Sequence, residues 1–568
     1  MSFKARYKSR LLGKLVFSSA IALLCSAKAE AQYILGIATS NWSGTNALYL
    51  NPANIADSRE RFIVDLGSLN AGIYNNLGTL NNKGGIIGAI SNGNTQNIFN
   101  YSNNNSFSLI APYAEIHGPG CMISINHKHS IAITTGLRGM NQFDHFDQSL
   151  YRIINDSANV PSGNVDLLSQ KFNYTAQVWA QVGATYAGVL YEKGHHQLKA
   201  GVTLRYLDGL GYIGLKGNNL DAHYRNGNDS VFVANSDIEF ASNILSTRGA
   251  VLSGVSNHSY LSDFLNAKHG NGIGGDIGLV YDYVQDTSDG LYDKDGRTDV
   301  DRTKNRYKLR LSAAVRDLGS IKYKSSGNSN FTVTGNGYIT GKGLSDSVTN
   351  YQNFRTYAIR HGFTADTSHQ DTKVHQPTAL VLGADYNIYK KYYVNVTYVG
   401  NLVNRQEFGT SYYNQLTVTP RMDSRYLSVG LPMSYNSLAH NFMLGAGLRY
   451  RGFFIGSEDM LALALRRQYG FNFYVGGFVP IYKKTPNGST PHHHPIAEPD
   501  MEHGGSSDTT DNVPDVYEND LIDHSQRESP ATRKENITDA GTVGENDAPD
   551  QRKHLYFLKQ ENITANKN

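Results

Sequence analysis

Cysteine is nearly absent from this sequence. Cys25 and Cys121 are the two in 568 residues, and Cys25 falls within an N-terminal segment that reads as a removable signal. One remaining thiol forms no intrachain disulfide, which excludes a disulfide-stapled secreted domain. Cys121 reads as a small buried hydrophobe rather than a nucleophile. Long hydrophobic runs are missing too. Beyond the N-terminal segment no stretch reaches the ~18 apolar residues of a membrane-crossing helix, which argues against a helical membrane protein. Charge is scarce: Asp, Glu, Lys and Arg make up 18% of the chain, below the ~25% of ordinary globular proteins. The formal net charge of +3 supplies no basic field, so no nucleic-acid partner is expected. Enzyme signatures are lacking as well. There is no His-Glu-x-x-His, no Gly-x-Ser-x-Gly and no phosphate loop, so no catalytic, cofactor or metal site is expected.

What is abundant points in one direction. The chain holds 56 Gly and 37 Tyr against 15 Pro and 8 Met. Tyr-rich, Gly-rich and charge-poor composition suits a transmembrane β-barrel, with aromatic girdles at the interfaces and few charges facing its lipid partner. The N-terminus fits export. Lys4, Arg6, Lys8, Arg10 and Lys14 form a basic region, Leu15 to Leu24 an apolar core, and Ala29-Glu30-Ala31 a cleavage site before Gln32. The apolar core is shorter than the ~20 residues of a membrane anchor. Cys25 follows Leu24, which is too bulky for a lipoprotein signal. Closed β-structure is then the remaining way to cross a bilayer, because it pairs every backbone polar group.

The region from about Arg61 to Lys484 repeats one pattern. Segments alternate apolar with small or polar residues, and turn residues separate them. Tyr174, Ala176, Val178, Ala180, Val182, Ala184 and Tyr186 share one face; Thr175, Gln177, Gln181 and Thr185 share the other. After Glu192 to His195, Leu198, Ala200, Val202, Leu204 and Tyr206 oppose Lys199, Thr203 and Arg205. The segments at 307–316, 380–398, 442–451 and 470–482 repeat the theme. A soluble sandwich shows the same period. Strands of this length, however, exceed its usual ~5–6 residues and suit a tilted bilayer crossing. Glu192 to His195 is a short turn, whereas Arg138 to Phe172 and Tyr283 to Asn305 are long and polar; the long ones are expected as outer loops. The expectation is an all-β, antiparallel barrel of about 14 strands, with roughly 12 to 16 allowed. Ser457 to Arg467 breaks the pattern. Its acids precede its bases, as in a short helix.

Ala47-Leu48-Tyr49-Leu50-Asn51-Pro52-Ala53-Asn54-Ile55 precedes the first strand at Phe62. Asn51, Pro52 and Ala53 resemble the Asn-Pro-Ala element of the fatty-acid-transporter-like barrels and of the related type IX secretion shuttle barrels. That resemblance implies a plug or hatch inside the lumen. Asn-Pro is also a simple turn initiator. Gly118-Pro119-Gly120, Arg316-Asp317-Leu318-Gly319 closing a strand, and Ile455-Gly456-Ser457 resemble an uncharacterised Bacteroidetes-type outer-membrane barrel family, a domain of unknown function. Eight basic residues are assigned to the inner face: Arg138, Lys199, Arg205, Lys308, Arg310, Arg316, Arg449 and Arg451. They either pair with acids in a packed lumen or form a positive path for anions.

From Thr485 the composition turns polar and acidic and cannot bury a core. Its stretch Asp508 to Asp515 lacks several oxygen ligands of a calcium loop, and His492, His493 and His494 read as solvated. The expected organisation is a signal at 1–31, an entry or plug segment at 32–61, a barrel at 62–484 and a disordered tail at 485–568. Three functional classes follow. They are a non-enzymatic barrel for solute transport or envelope assembly, a scaffold binding another envelope or secretion-system protein, and a barrel hydrolase. The expected location is the outer membrane, reached through the barrel assembly machinery.

Overall fold

The sense of the alternation decides what kind of sheet forms. In a computed structural model of the chain, Val182, Val202, Leu204, Ile273 and Ile277 are exposed on the outside, while Gln177, Gln181, Thr185 and Thr203 are buried inside. Apolar residues facing out and polar residues facing in is the reverse of a soluble sandwich and is what a wall in hydrocarbon requires. The structure describes residues 34–80, 99–101, 106–155, 161–225, 230–243, 269–294, 297–325, 329–340, 351–438, 441–460 and 469–485. The expected signal at 1–31 and residues 486–568 of the tail lie outside the described residues.

Fourteen antiparallel strands close into one barrel. They are β1 (Glu60–Asn75), β2 (Ser106–His117, continued by Gly120–Ser124), β3 (His129–Asp147), β4 (Phe172–Lys193) and β5 (His196–Tyr224). Next come β6 (Ser230–Ser242, resumed by Gly270–Val284), β7 (Tyr307–Tyr323 and Asn330–Thr340), β8 (Thr364–Ser368, Thr372–His375 and Ala379–Tyr389) and β9 (Tyr392–Asn401). The wall ends with β10 (Gln415–Asp423), β11 (Leu427–Gly430 and Met433–Asn436), β12 (Asn441–Leu444 and Ala446–Tyr450), β13 (Phe453–Ser457) and β14 (Gly470–Tyr482). Closure is direct: β14 pairs with β1 from Tyr74↔Gly470 to Glu60↔Tyr482.

The turns 125–128, 194–195, 390–391, 424–426 and 451–452 share one end, the turn end. On β5 the outward apolar ladder runs from Leu198 to Tyr206, beyond which Asp208 faces out, a height of about 20 Å for a strand tilted by ~40°. Exposed Tyr186, Tyr191, Tyr389, Tyr392 and Tyr450 ring its turn-end edge, where aromatic side chains favour the interface. At the other end the strands continue past this band. There Phe143, Phe146, Phe172, Leu220, Phe240, Phe331 and Phe363 form a separate core, packed beside the helices α1 (Gln148–Asn155) and α2 (Tyr351–Arg360).

Four sequence expectations are corrected. The long segment Tyr283 to Asn305 sits at the turn end rather than the loop end; loop length does not encode which end a connection occupies, but strand parity does. It carries a small hairpin, Leu291–Lys294 with Arg297–Val300. Arg138 to Phe172 is not all loop, since β3 runs on to Asp147 before α1 begins. Arg316 to Gly319 does not close a strand. Asp317 (φ 52°) and Gly319 (φ 122°) form a bulge inside β7, which re-aims a side chain without ending the pairing. Ser457 does not start a helix: it ends β13, paired with Ala446. Residues 461–467 of that expected helix lie outside the described residues.

Candidate functional site

The segment 34–59 has no alternation and joins no sheet. It enters the lumen as a short helix (Leu35–Ala38) and two 3-10 turns (Gly44–Ala47 and Pro52–Ile55). Leu35, Ile37, Leu48, Leu50 and Ile55 are buried with Ile63, Ala187, Val381, Val399 and Phe478 of the wall. The Asn51 side chain shapes the second turn. Its Oδ1 accepts from Ala53 N at 2.9 Å, and Pro52 occupies the first position, where no N–H is needed. Its Nδ2 donates to the carbonyls of Leu279 at 3.0 Å and Ala313 at 3.1 Å. The wall opposite is bare. Gly201 and Gly278 are cross-strand partners on β5 and β6. A Cβ on Gly278 would lie 2.1 Å from Asn51 Oδ1, and one on Gly201 would lie 2.4 Å from Ala53 N. Ala187 and Ala314 extend this row of small residues to either side.

A second bare patch receives the first helix. A Cβ on Gly430 would lie 2.4 Å from Gly36 O, and one on Gly447 2.9 Å from the Gly36 carbonyl carbon. Glu458, just beyond β13, accepts from Gly36 N at 3.3 Å. Where the plug leaves the lumen, Asp57 lies 3.5 Å from Arg302, and Arg59 donates to Asn305 at 3.0 Å. Burial alone would raise the Asp57 carboxyl, but Lys199, Arg59 and Arg302 hold it below its usual range.

Above the plug lies a layer of buried charge. Arg138 donates to Glu115 at 2.7 Å and to Asp317 at 2.9 Å. Arg205 pairs with Asp276 and reaches Asp317 at 3.3 Å. Arg316 lies 3.6 Å from Asp317. On the plug side, the Tyr49 ring stacks on His117 with centroids 3.8 Å apart. Nearer the turn end, Lys199 and Arg310 share Asp282 at 2.8 and 2.7 Å. Arg449 donates to the carbonyls of Ser424 and Arg451 at 2.6 and 2.7 Å.

Six of the eight basic residues assigned to the lumen thus face inward. Two do not. Lys308 is the extra residue of a bulge between Tyr307 and Leu309. Its Nζ lies 4.8 Å from the exposed Tyr386 ring on the outside. Arg451 sits in the 451–452 turn with φ 52° and is exposed. Sequence reading missed Arg421, which pairs with Asp385 at 2.6 Å; Pro420 and Met422 beside it obscure the alternation. It also missed the acids Glu115, Asp276, Asp282, Asp317 and Asp385.

The loop between β9 and β10, residues 402–414, was not anticipated as functional. It folds into the lumen from the loop end. Gln142 donates to Ser411 at 2.9 Å, Gln177 to Thr410 at 2.7 Å, and Asn173 to the Glu407 carbonyl at 2.8 Å. Tyr412 donates to Asp317 at 3.0 Å and bonds Arg138. The lumen is therefore occupied from both ends, with the charged layer between.

Residues 52–458 match a family of unknown function, DUF5723. The chain belongs to this family. The DUF5723 span takes in the whole charged layer and the 402–414 loop, and it runs from Pro52 to Glu458, two of the plug-contact residues described above. The membership agrees with the resemblance read from the short motifs. No curated protein matches the chain. Among solved structures, this DUF5723 member is similar to the P. putida toluene transporter TodX, at 9% identity and a TM-score of 0.34, covering 78% of this chain and 95% of that one. It is similar to the Ralstonia pickettii toluene transporter TbuX, at 12% identity and a TM-score of 0.32, over 79% and 98% of the two chains. A Pseudomonas aeruginosa FadL homologue shows 11% identity and a TM-score of 0.28, over 79% and 97%.

Proposed function

We propose that this protein is a gated, non-enzymatic transport barrel of the Gram-negative outer membrane, held closed in the described state. In this reading the signal at 1–31 exports the chain, and the barrel assembly machinery inserts 62–484. Residues 32–61 are the inner gate and 402–414 the outer gate.

The observation that carries the reading is how the lumen is filled. The plug joins no sheet and is held by side-chain bonds and bare glycine contacts; the outer segment is held by side-chain bonds and by one isolated backbone bridge to β8, where His375 N donates to Phe408 O at 3.1 Å. Either can leave while all fourteen wall strands stay paired.

The test is conductance in planar bilayers. The full chain is expected to be closed with rare openings, and deletion of 405–411 is expected to raise open probability. Silence of both forms, together with a co-purifying envelope protein, would favour the scaffold reading and overturn this one.

A further inference from the structure

The turn end of the barrel is rimmed with positive charge. Lys128, Lys390, Lys391, Arg425 and Arg451 sit in four of its five tight turns, and Lys193 leads into the fifth. The ion pairs at this end belong to other residues, such as Arg302 with Glu192 and Arg421 with Asp385. The six rim cations have no carboxylate partner among the described residues. We infer that this rim binds the headgroups of anionic phospholipids, phosphate to cation. The inference needs the lipid-facing wall but not the transport reading.

The first argument is depth. Lys390 Nζ lies 4.9 Å from the centre of the Tyr389 ring, and the Arg425 and Arg451 guanidinium carbons lie 5.4 and 5.8 Å from those of Tyr426 and Tyr450. All three rings are exposed on the outside. Such rings settle where hydrocarbon meets headgroups. A cation held against the ring therefore sits at the depth of lipid phosphates, with its aliphatic stem along the apolar wall.

The second argument is charge. The five turns, each taken with two residues on either side, contain two acids, Glu192 and Asp423. Glu192 is held by Arg302 at 2.7 Å, and Asp423 is buried. Among the described residues, the other exposed acids at this end lie on the 285–306 connection, which carries Arg302, Lys304 and Arg306 of its own. Six like charges around one rim repel each other, more so beside hydrocarbon of low dielectric. In the lumen the chain supplies the counter-charge itself, as Arg138 with Glu115 and Arg205 with Asp276 show. At the rim it supplies none, and phosphates are the anions that lie there.

The third argument is distribution. The cations belong to the β2–β3, β4–β5, β8–β9, β10–β11 and β12–β13 turns, so they surround most of the barrel. A soluble partner would touch one sector, whereas a shell of lipids touches every turn.

The experiment adds phosphatidylglycerol or phosphatidylcholine to the full chain in detergent micelles and resolves bound lipids by native mass spectrometry. Phosphatidylglycerol is expected to bind about fivefold more tightly for each cation it meets, and the preference should shrink at about 0.5 M salt. Replacing all six cations should cut the preference at least about fivefold. Lys390 and Arg451 have φ of 48° and 52°, so they become Asn, which tolerates that conformation; the other four become Gln. Lys322→Gln with Lys373→Gln, exposed on the outer wall toward the loop end, should leave the preference unchanged. Circular dichroism separates lost binding from lost folding.

No preference for phosphatidylglycerol in the unaltered chain would overturn the proposal. So would a preference that survives the six substitutions, or one lost equally in the loop-end control. Inorganic phosphate, added at the ionic strength of a chloride control, should not abolish the preference; if it does, the rim is a site for soluble anions. An acidic protein that co-purifies with the chain and is released by the six substitutions, without any lipid preference, would assign the rim to that protein instead.

Discussion

The Tyr412 hydroxyl donates to Asp317 Oδ2 at 3.0 Å, across 95 residues of sequence. One partner sits on a loop that folds in from the loop end. The other sits on a bulge in β7, where it also receives Arg138 and Arg205. This bond ties the 402–414 loop to the buried charged layer.

Removing that hydroxyl tests the outer gate. Tyr412→Phe keeps the ring and deletes a hydrogen bond to a charged group, worth about 1.5–3 kcal/mol. Single-channel recordings should show the 402–414 loop open roughly ten to a hundred times more often. Unchanged open probability would remove the loop from gating.

Asp317 tests the charge balance. Asp317→Asn leaves Arg138, Arg205 and Arg316 sharing fewer acids, and breaking such a buried network costs about 3–5 kcal/mol. If the variant folds, its openings should become more anion-selective, seen as a shifted reversal potential in a KCl gradient. Loss of Glu115 is expected to have the same sign.

The glycine saddle predicts a steric effect on the plug. A Cβ on Gly278 meets Asn51 Oδ1 at 2.1 Å, so Gly278→Ala should destabilise plug docking by about 1–3 kcal/mol, as overpacking does. Gly278→Leu should displace the plug outright. Maleimide labelling of Ala53→Cys in a Cys121→Ser background reads this directly: faster labelling with the barrel intact is the expected result.

Plug docking should weaken in acid. Against the effect of burial, Lys199, Arg59 and Arg302 hold the Asp57 carboxyl below its usual range. Its contribution to docking is therefore full above the ordinary carboxylate range and is lost as pH falls through the lowered value. Labelling of Ala53→Cys by a reagent that reacts in acid should rise as pH falls below ~4, and Asp57→Asn should flatten that rise.

The lipid-facing assignment is checked at Ile277, 58% exposed on the outer wall. Ile277→Lys should destabilise the barrel in liposomes by about 2–4 kcal/mol if it lies near the midplane, measured by urea unfolding. Thr203→Ser, on the inner face of the neighbouring strand, should change stability far less.

The wall was legible from sequence because its information is local. Tyr174 to Tyr186 and Leu198 to Tyr206 show which residues share a face within one segment, and a strand's geometry makes that period two regardless of its neighbours. The Asn51-Pro52-Ala53 element was legible for the same reason, as a capped turn. Lys308 and Arg451 were misplaced where the local rule breaks. A one-residue bulge flips the face of every side chain beyond it, and a turn residue has no face at all.

The amino-acid sequence by itself determined a chain whose long alternating strands close into a barrel of about fourteen strands. Only the tertiary structure decided what occupies that barrel. Gly36 meets Glu458 across 422 residues, and Gln142 meets Ser411 across 269. Such pairs leave no periodic trace, because the barrel's closure, not the chain's local geometry, brings them together. The same closure makes polar residues the buried ones, so the sequence shows the face that lipid sees more clearly than the face that a solute would meet.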